Sequence, residues 1–255
     1  MIATIDQKNL VSLTQDLLVD EIKLAAAKTS LGIPFDEYTS GTDKYLVFEV
    51  VQDANAAFGK IYHHWQIRFD LRIYSRLYSD WVAANKTGLD DSGSFYHDTL
   101  NNTDPVTLLT VNGGSEYQFI IFSQGSILVV LGGVYPAKKP DWWDLSSWNY
   151  YFTPDYNDYR RFRSTAKNPF SNQYHDVSLK NSRMETANIH TGRRDILQGI
   201  LFFTQSNQGI SGKSSDDLVS CSAAGSSLGD VIEVVTGERY LVLDKSAGGL
   251  GVRIA

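Results

Sequence analysis

The sequence predicts a mainly β protein: a β-sandwich or open-barrel-like core with an N-terminal amphipathic helix and a long, irregular, aromatic-rich loop. Three observations predict it. Runs of β-branched and aromatic residues with strand periodicity recur from residue 44 to the C-terminus. The one long helical period lies near the N-terminus. Residues 136–194 hold four of the six prolines, among clustered aromatics and frequent Asn, Asp and Ser.

At 255 residues, with 42% hydrophobic and 20% charged side chains, the chain has the composition of a globular protein able to bury a core. The pattern divides it into a helix and connector over 1–43, a β core over 44–135, an irregular interface loop region over 136–194, and a C-terminal β module over 195–255. In residues 5–30, Leu10, Leu13, Leu17 and Leu24 recur at helical intervals beside Val11, Leu18 and Ile22, and Gly32 and Pro34 supply a stop. Tyr45 to Val51 is a near-continuous β-favouring run that suits a strand covered on both faces. From Gln66 to Ile73 apolar and polar residues alternate strictly, which predicts a strand with Ile67, Phe69, Leu71 and Ile73 on its core face. Leu77, Trp81 and Ala84 share one face of a helical segment expected over 74–86.

A hairpin is expected from Glu116–Ser123 and Ser126–Val134 about Gln124-Gly125, with Gly132-Gly133 bending or ending its second strand. Ile196–Thr204 and Leu218–Ala223 predict further strands, with a turn region over 207–217. Val231–Val235 and Tyr240–Leu243 predict a hairpin across Gly237, and Leu250, Val252 and Ile254 a terminal strand.

Several chemistries find no pattern in the residues. Cys221 is the only cysteine and reads as a packing residue, with no disulfide or thiolate cluster. His63 and His64 are adjacent on a strand and point to opposite faces, while His97-Asp98 and His175-Asp176 have no ligand spacing. Hydrogen-bonding or surface histidines are expected. No GxSxG elbow surrounds a serine; Ser126 begins a hairpin strand, and Asp216-Asp217 caps a turn or faces solvent. The glycine tracts at 112–115 and 247–250 lack the lysine of a phosphate loop. No enzyme activity, cofactor or metal is therefore expected. A net charge of -6 disfavours nucleic acid as the main partner. The longest apolar run, Ile127 to Val134, is too short to span a bilayer, so no membrane association is expected. The N-terminal residues carry no secretory-signal pattern, which predicts folding in a reducing cytoplasm.

The most unusual tract is Asp141 to Phe152. It reads as aromatics closing the core, as a carbohydrate-stacking platform, or as a subunit interface. Its candidate contact residues are Trp142, Trp143, Trp148, Tyr150 and Tyr151, followed by Tyr156, Tyr159, Arg160, Arg161 and Arg163. The arginines favour an interface and leave room for an anionic partner.

The C-terminal segments Arg194–Ile200, Gly229–Glu233, Gly237–Leu243 and Gly251–Ile254 resemble the closing module of virion structural proteins of tailed bacteriophages, where a Gly-x-x-Tyr-Leu-Val phrase precedes a final short strand. The hairpin Tyr117–Val134 resembles the middle of such proteins. The resemblance implies a tail, baseplate or neck subunit, assembled in the host cytoplasm. Its partners would be copies of itself and other virion proteins. A carbohydrate-binding β-sandwich that recognises a host glycan is the alternative.

Overall fold

The structure is a computed structural model that describes residues 2–51, 60–138, 151–155, 158–166, 174–177, 189–204, 209–233, 237–243 and 249–255. Among these residues it is mainly β, with twenty-one strands and one helix. The N-terminal half holds β1 (Thr4–Leu10), α1 (Gln15–Ala26), β2 (Asp36–Ser40), β3 (Asp43–Val51), β4 (Lys60–Ile67), β5 (Ile73–Tyr78), β6 (Asp80–Val82), β7 (Thr87–Leu89) and β8 (Phe95–Tyr96). The middle holds β9 (Val106–Asn112), β10 (Tyr117–Gln124), β11 (Ile127–Val134), β12 (Thr153–Asp155), β13 (Asp158–Arg163) and β14 (Tyr174–Val177). The last part holds β15 (Ile196–Gln198), β16 (Leu201–Thr204), β17 (Ile210–Lys213), β18 (Leu218–Cys221), β19 (Val231–Glu233), β20 (Arg239–Val242) and β21 (Gly249–Arg253). No helix among the described residues is long and apolar enough to cross a membrane.

Strands β1-β9-β10-β11 form a central antiparallel sheet, and its side-chain alternation feeds two cores. Val106, Leu108, Ile120, Phe122, Val129 and Leu131 point one way. They meet Leu18, Val19 and Ile22 of α1 and the inner face of the sheet β2-β3-β4-β5-β8, with Leu46, Phe48, Trp65 and Ile73. Leu109, Val111, Phe119, Ile121, Leu128 and Val130 point the other way, onto Phe162 and Phe202 of β12-β13-β14-β16-β17 and Leu218, Leu241 and Val252 of β15-β18-β21-β20-β19. A sheet covered on both faces needs apolar residues at consecutive positions, which is why β10 and β11 read as unbroken hydrophobic runs.

The hairpin about Gly125 has the expected strands, and β18, the β19-β20 pair and β21 occupy expected positions. Gly132 and Gly133 do not end β11. A Cβ on Gly133 would lie 2.4 Å from the Phe152 carbonyl oxygen, so its absence lets that backbone bridge to Val134.

Five expectations are corrected. The helix does not cover 5–30: residues 4–10 pair along the whole of β9, and α1 starts only after Thr14, whose hydroxyl accepts from the Leu17 amide. Gln66–Ile73 is not one strand. Arg68 to Arg72 form the turn between β4 and β5, with Leu71 at φ 64, Asp70 Oδ1 accepting from the Arg72 amide, and Phe69 62% exposed. Residues 74–86 are not helical, because the register carries Tyr74–Tyr78 along β4 and β6 pairs with β7 as a small hairpin. Ile196–Thr204 splits at Gly199 (φ 74) into β15 and β16, which join different sheets. Finally, residues 136–194 are not loop throughout, since β12, β13 and β14 lie within them.

Candidate functional site

The outer face of the sheet β2-β3-β4-β5-β8 concentrates aromatic and hydrogen-bonding chemistry. Strand alternation sends Ile61, His63, Trp65 and Ile67 inward and Tyr62, His64 and Gln66 outward, and does the same for Ile73, Ser75 and Leu77 against Tyr74, Arg76 and Tyr78. Antiparallel register then lines the outward groups into rows. One row is Tyr38, Tyr45, Gln66, Tyr74 and Tyr96, one residue from each of the five strands. The next is Asp36, Val47, His64 and Arg76, and the third is Glu49, Tyr62 and Tyr78.

The hairpin β6-β7 lays Trp81 against the second row. The indole is 5.2 Å from the His64 ring and 5.4 Å from Tyr78, and its Nε1 donates to Asp36 Oδ2 at 2.9 Å. Tyr38 and Tyr45 stack at 4.5 Å with parallel rings, and Lys86 Nζ lies 4.8 Å from the Tyr38 ring while pairing with Asp36 at 2.7 Å. Gln66 Nε2 donates to Asp43 Oδ2 at 2.7 Å, which fixes the plane of the amide.

The protonation states here suit binding better than proton transfer. Burial, then the Arg76 charge, pulls His64 down to about 4, so it is neutral near pH 7. Burial pushes the Tyr38 hydroxyl up to about 12, with the neighbouring Tyr45 adding to it. Tyr62 is likewise pushed up to about 12, by burial and by the charge of Glu49, to which its hydroxyl donates at 3.2 Å. A neutral imidazole hydrogen-bonded at 3.0 Å to an un-ionised phenol is a fixed contact.

Behind the same sheet a polar chain runs from the exposed Ser30 to buried groups. Ser30 Oγ donates to Gln118 Oε1 at 3.0 Å, Gln118 Nε2 donates to the Tyr151 hydroxyl at 3.4 Å, and that hydroxyl meets His63 Nδ1 at 3.5 Å. His97 Nε2 shares a 3.0 Å hydrogen bond with Ser75 Oγ in the same core. Burial, with the charges of His97 and His64 opposing protonation, holds His63 well below its ordinary value. His175, between Ser164 and Ser211 Oγ at 3.0 and 2.7 Å, is pulled by burial to about 3. Thus four of the five histidines are buried, in line with the hydrogen-bonding role expected of them.

Neither the protein-family models nor the curated protein sequences match this chain.

The expected contact residues divide. Trp142, Trp143, Trp148, Tyr150 and Tyr156 lie outside the described residues, and Tyr159 and Arg160 lie in β13. Tyr151 and Arg163 are both buried, and their surroundings tie them to other parts of this chain. Arg163 is 3.3 Å from Asp155, donates to the Ser92 carbonyl at 3.0 Å and to the Tyr174 hydroxyl, and lies 4.1 Å over the Tyr174 ring and 5.0 Å over Phe95. It thereby joins β13 and β14 to the segment before β8. Arg161 is half-buried, 5.6 Å from the Tyr174 ring, beside a depression of about 280 Å³ that Ser94 and Tyr96 also line.

The outer aromatic rows were missed in the sequence, although their signal is present. Tyr62-x-His64-x-Gln66 and Tyr74-x-Arg76-x-Tyr78 are two strand-period runs of aromatic and polar residues. The alternation across 67–73 hid the turn that sets them in register.

Proposed function

We propose that this chain is a non-enzymatic structural subunit of a tailed-bacteriophage particle, in the tail, baseplate or neck. It would be assembled in the host cytoplasm through contacts with copies of itself and with other virion proteins. The observation that carries the proposal is that the segments of the C-terminal resemblance come together as one unit. Ile196–Gln198, Val231–Glu233, Arg239–Val242 and Gly249–Arg253 are all strands of the sheet β15-β18-β21-β20-β19. Both edge strands of that sheet expose an apolar side chain, Leu197 at 52% and Val231 at 50%. Free strand edges with apolar residues are sites that proteins normally blunt unless a neighbour covers them. A core whose central sheet is packed on both faces suits a rigid part that holds its edges in fixed directions.

Mass spectrometry of purified particles, with light scattering of the isolated chain, tests the proposal. The expected result is a stoichiometric component of the particle that self-associates or binds a second particle protein. A monodisperse monomer missing from particles would sink it. Leu197→Asp and Val231→Asp should abolish incorporation while leaving the fold intact, because both side chains are already half in water.

A further inference from the structure

We propose that the outward row Tyr38, Tyr45, Gln66, Tyr74 and Tyr96 is a binding surface for an uncharged polysaccharide whose pyranose rings lie across the strands. This goes beyond the assembly role and stands or falls separately from it.

Geometry supplies the first argument. The five residues occupy one register line on adjacent strands, and at about 4.8 Å per strand the row is roughly 19 Å long and one residue wide. It starts on the edge strand β2 and finishes on the edge strand β8, as a surface for the interior of a polymer chain should. A stable protein partner needs about 800 Å² per side around an apolar centre, far more than a band of this width offers.

Chemistry supplies the second. A pyranose ring presents apolar C–H faces and a rim of hydroxyls. Tyr45, Tyr74 and Tyr96 each offer ring surface with a hydroxyl and Gln66 offers an amide, while Tyr38, stacked on Tyr45, beside Lys86 and hydrogen-bonded to His64, supports the end of the row. The four tyrosines and the glutamine are half-buried or exposed, Tyr96 at 42%, so part of each remains open to a ligand.

Preorganisation is the third. Tyr38 and Tyr45 brace one another, Asp43 holds the Gln66 amide, and Arg72, which donates to the Thr99 hydroxyl at 2.8 Å, sits 5.7 Å from the Tyr96 ring. Little side-chain freedom is left to lose on binding. Two of the border cations are matched within the protein, Lys86 by Asp36 at 2.7 Å and Arg76 by Asp91 at 3.2 Å, and a third, Arg72, is held by the Thr99 hydroxyl at 2.8 Å. An uncharged ligand fits such a surface better than an anionic one.

Affinity electrophoresis of the full chain through gels containing dextran, soluble starch, mannan or galactan, followed by calorimetry with the matching hexasaccharide, provides the test. At least one neutral glycan should retard the protein. Tyr74→Ala and Tyr96→Ala should each weaken binding at least about fivefold, whereas Tyr74→Phe, which keeps the ring, should retain most of it. Circular dichroism establishes that each variant is folded, and Tyr96→Ala at the sheet edge serves if Tyr74→Ala is not. Retardation by none of these glycans would overturn the proposal. So would binding that survives both folded alanine variants, or binding lost in Trp143→Ala and not in Tyr74→Ala. A dimer that Tyr74→Ala converts to monomer would also overturn it, by assigning the row to self-association.

Discussion

His63 and His64 are neighbours in the chain, yet they report on two different environments. The inner face of their sheet packs Leu46, Phe48, Trp65 and Ile73 against α1 and the central sheet, and its polar contacts include Tyr151 with His63 and Ser75 with His97. The outer face carries Tyr38, Tyr45, Gln66, Tyr74 and Arg76 in rows that mix ring surface with hydrogen-bonding termini. One face gains its stability from area removed from water. The other keeps its groups oriented and partly available. Position in the strand, more than residue type, decides which role a given aromatic has: Trp65 is core, and Tyr74, across the same strand pair, is surface.

Acid should break this arrangement first. A histidine whose folded pKa lies below its unfolded value of 6.5 contributes fully above that pH, and its contribution is lost as pH falls toward the folded value. With folded values of about 4 for His64 and about 3 for His175, these two each cost about 2 kcal/mol at pH 5, roughly 4 kcal/mol together, and His63 is displaced in the same direction. That is a large fraction of the stability of a typical domain. Thermal melts from pH 8 to pH 4 should show a steep loss beginning below about 6.5. In His64→Gln the loss should be shallower, and an unchanged acid profile would show that the outer second row is open to water instead of closed by Trp81.

The next largest effect separates the faces directly. Trp65→Ala should cost about 3–5 kcal/mol in denaturant titrations, because the indole is wholly buried and leaves a cavity between the sheet and α1. Tyr45→Ala should cost only about 1 kcal/mol, the loss of one stacking contact with Tyr38 on a half-exposed side chain. Equal costs for the two would erase the distinction between the faces. The smallest effect belongs to the border. Lys86→Met removes the ion pair between the partly exposed Lys86 and a largely covered Asp36, which keeps its bond from Trp81, together with the cation beside Tyr38, and should change stability by about 1 kcal/mol or less, an effect that fades at high salt. A cost of several kcal/mol would mean that Lys86 belongs to the closed part of the face.

Parts of this architecture are local and were legible in the residues. The hairpin about Gly125 is one, since both strands are long, apolar and joined by a two-residue link whose glycine takes φ 57. The strict alternation of 66–73 was equally clear and misleading. Pattern alone cannot distinguish a strand from two strand ends and a turn when the turn residues Arg68 to Arg72 also alternate. The same limit applied to the N-terminus, where leucines at helical spacing are shared between β1 and α1. The candidate surface was less legible still, because Tyr38, Tyr45, Gln66, Tyr74 and Tyr96 are scattered over nearly sixty residues and become a row only through register.

The sequence by itself determined that the chain is mainly β, where the β10-β11 hairpin and most of the C-terminal strands lie, and that His63 and His64 must diverge. Each of these follows from backbone geometry within a few residues. Only the tertiary structure decided that β1 and β9 pair, that Tyr151 and Arg163 turn inward, and that five distant side chains share one line. Those outcomes depend on which strands meet and in what register, and a shift of a single residue would send every one of these side chains to the opposite face.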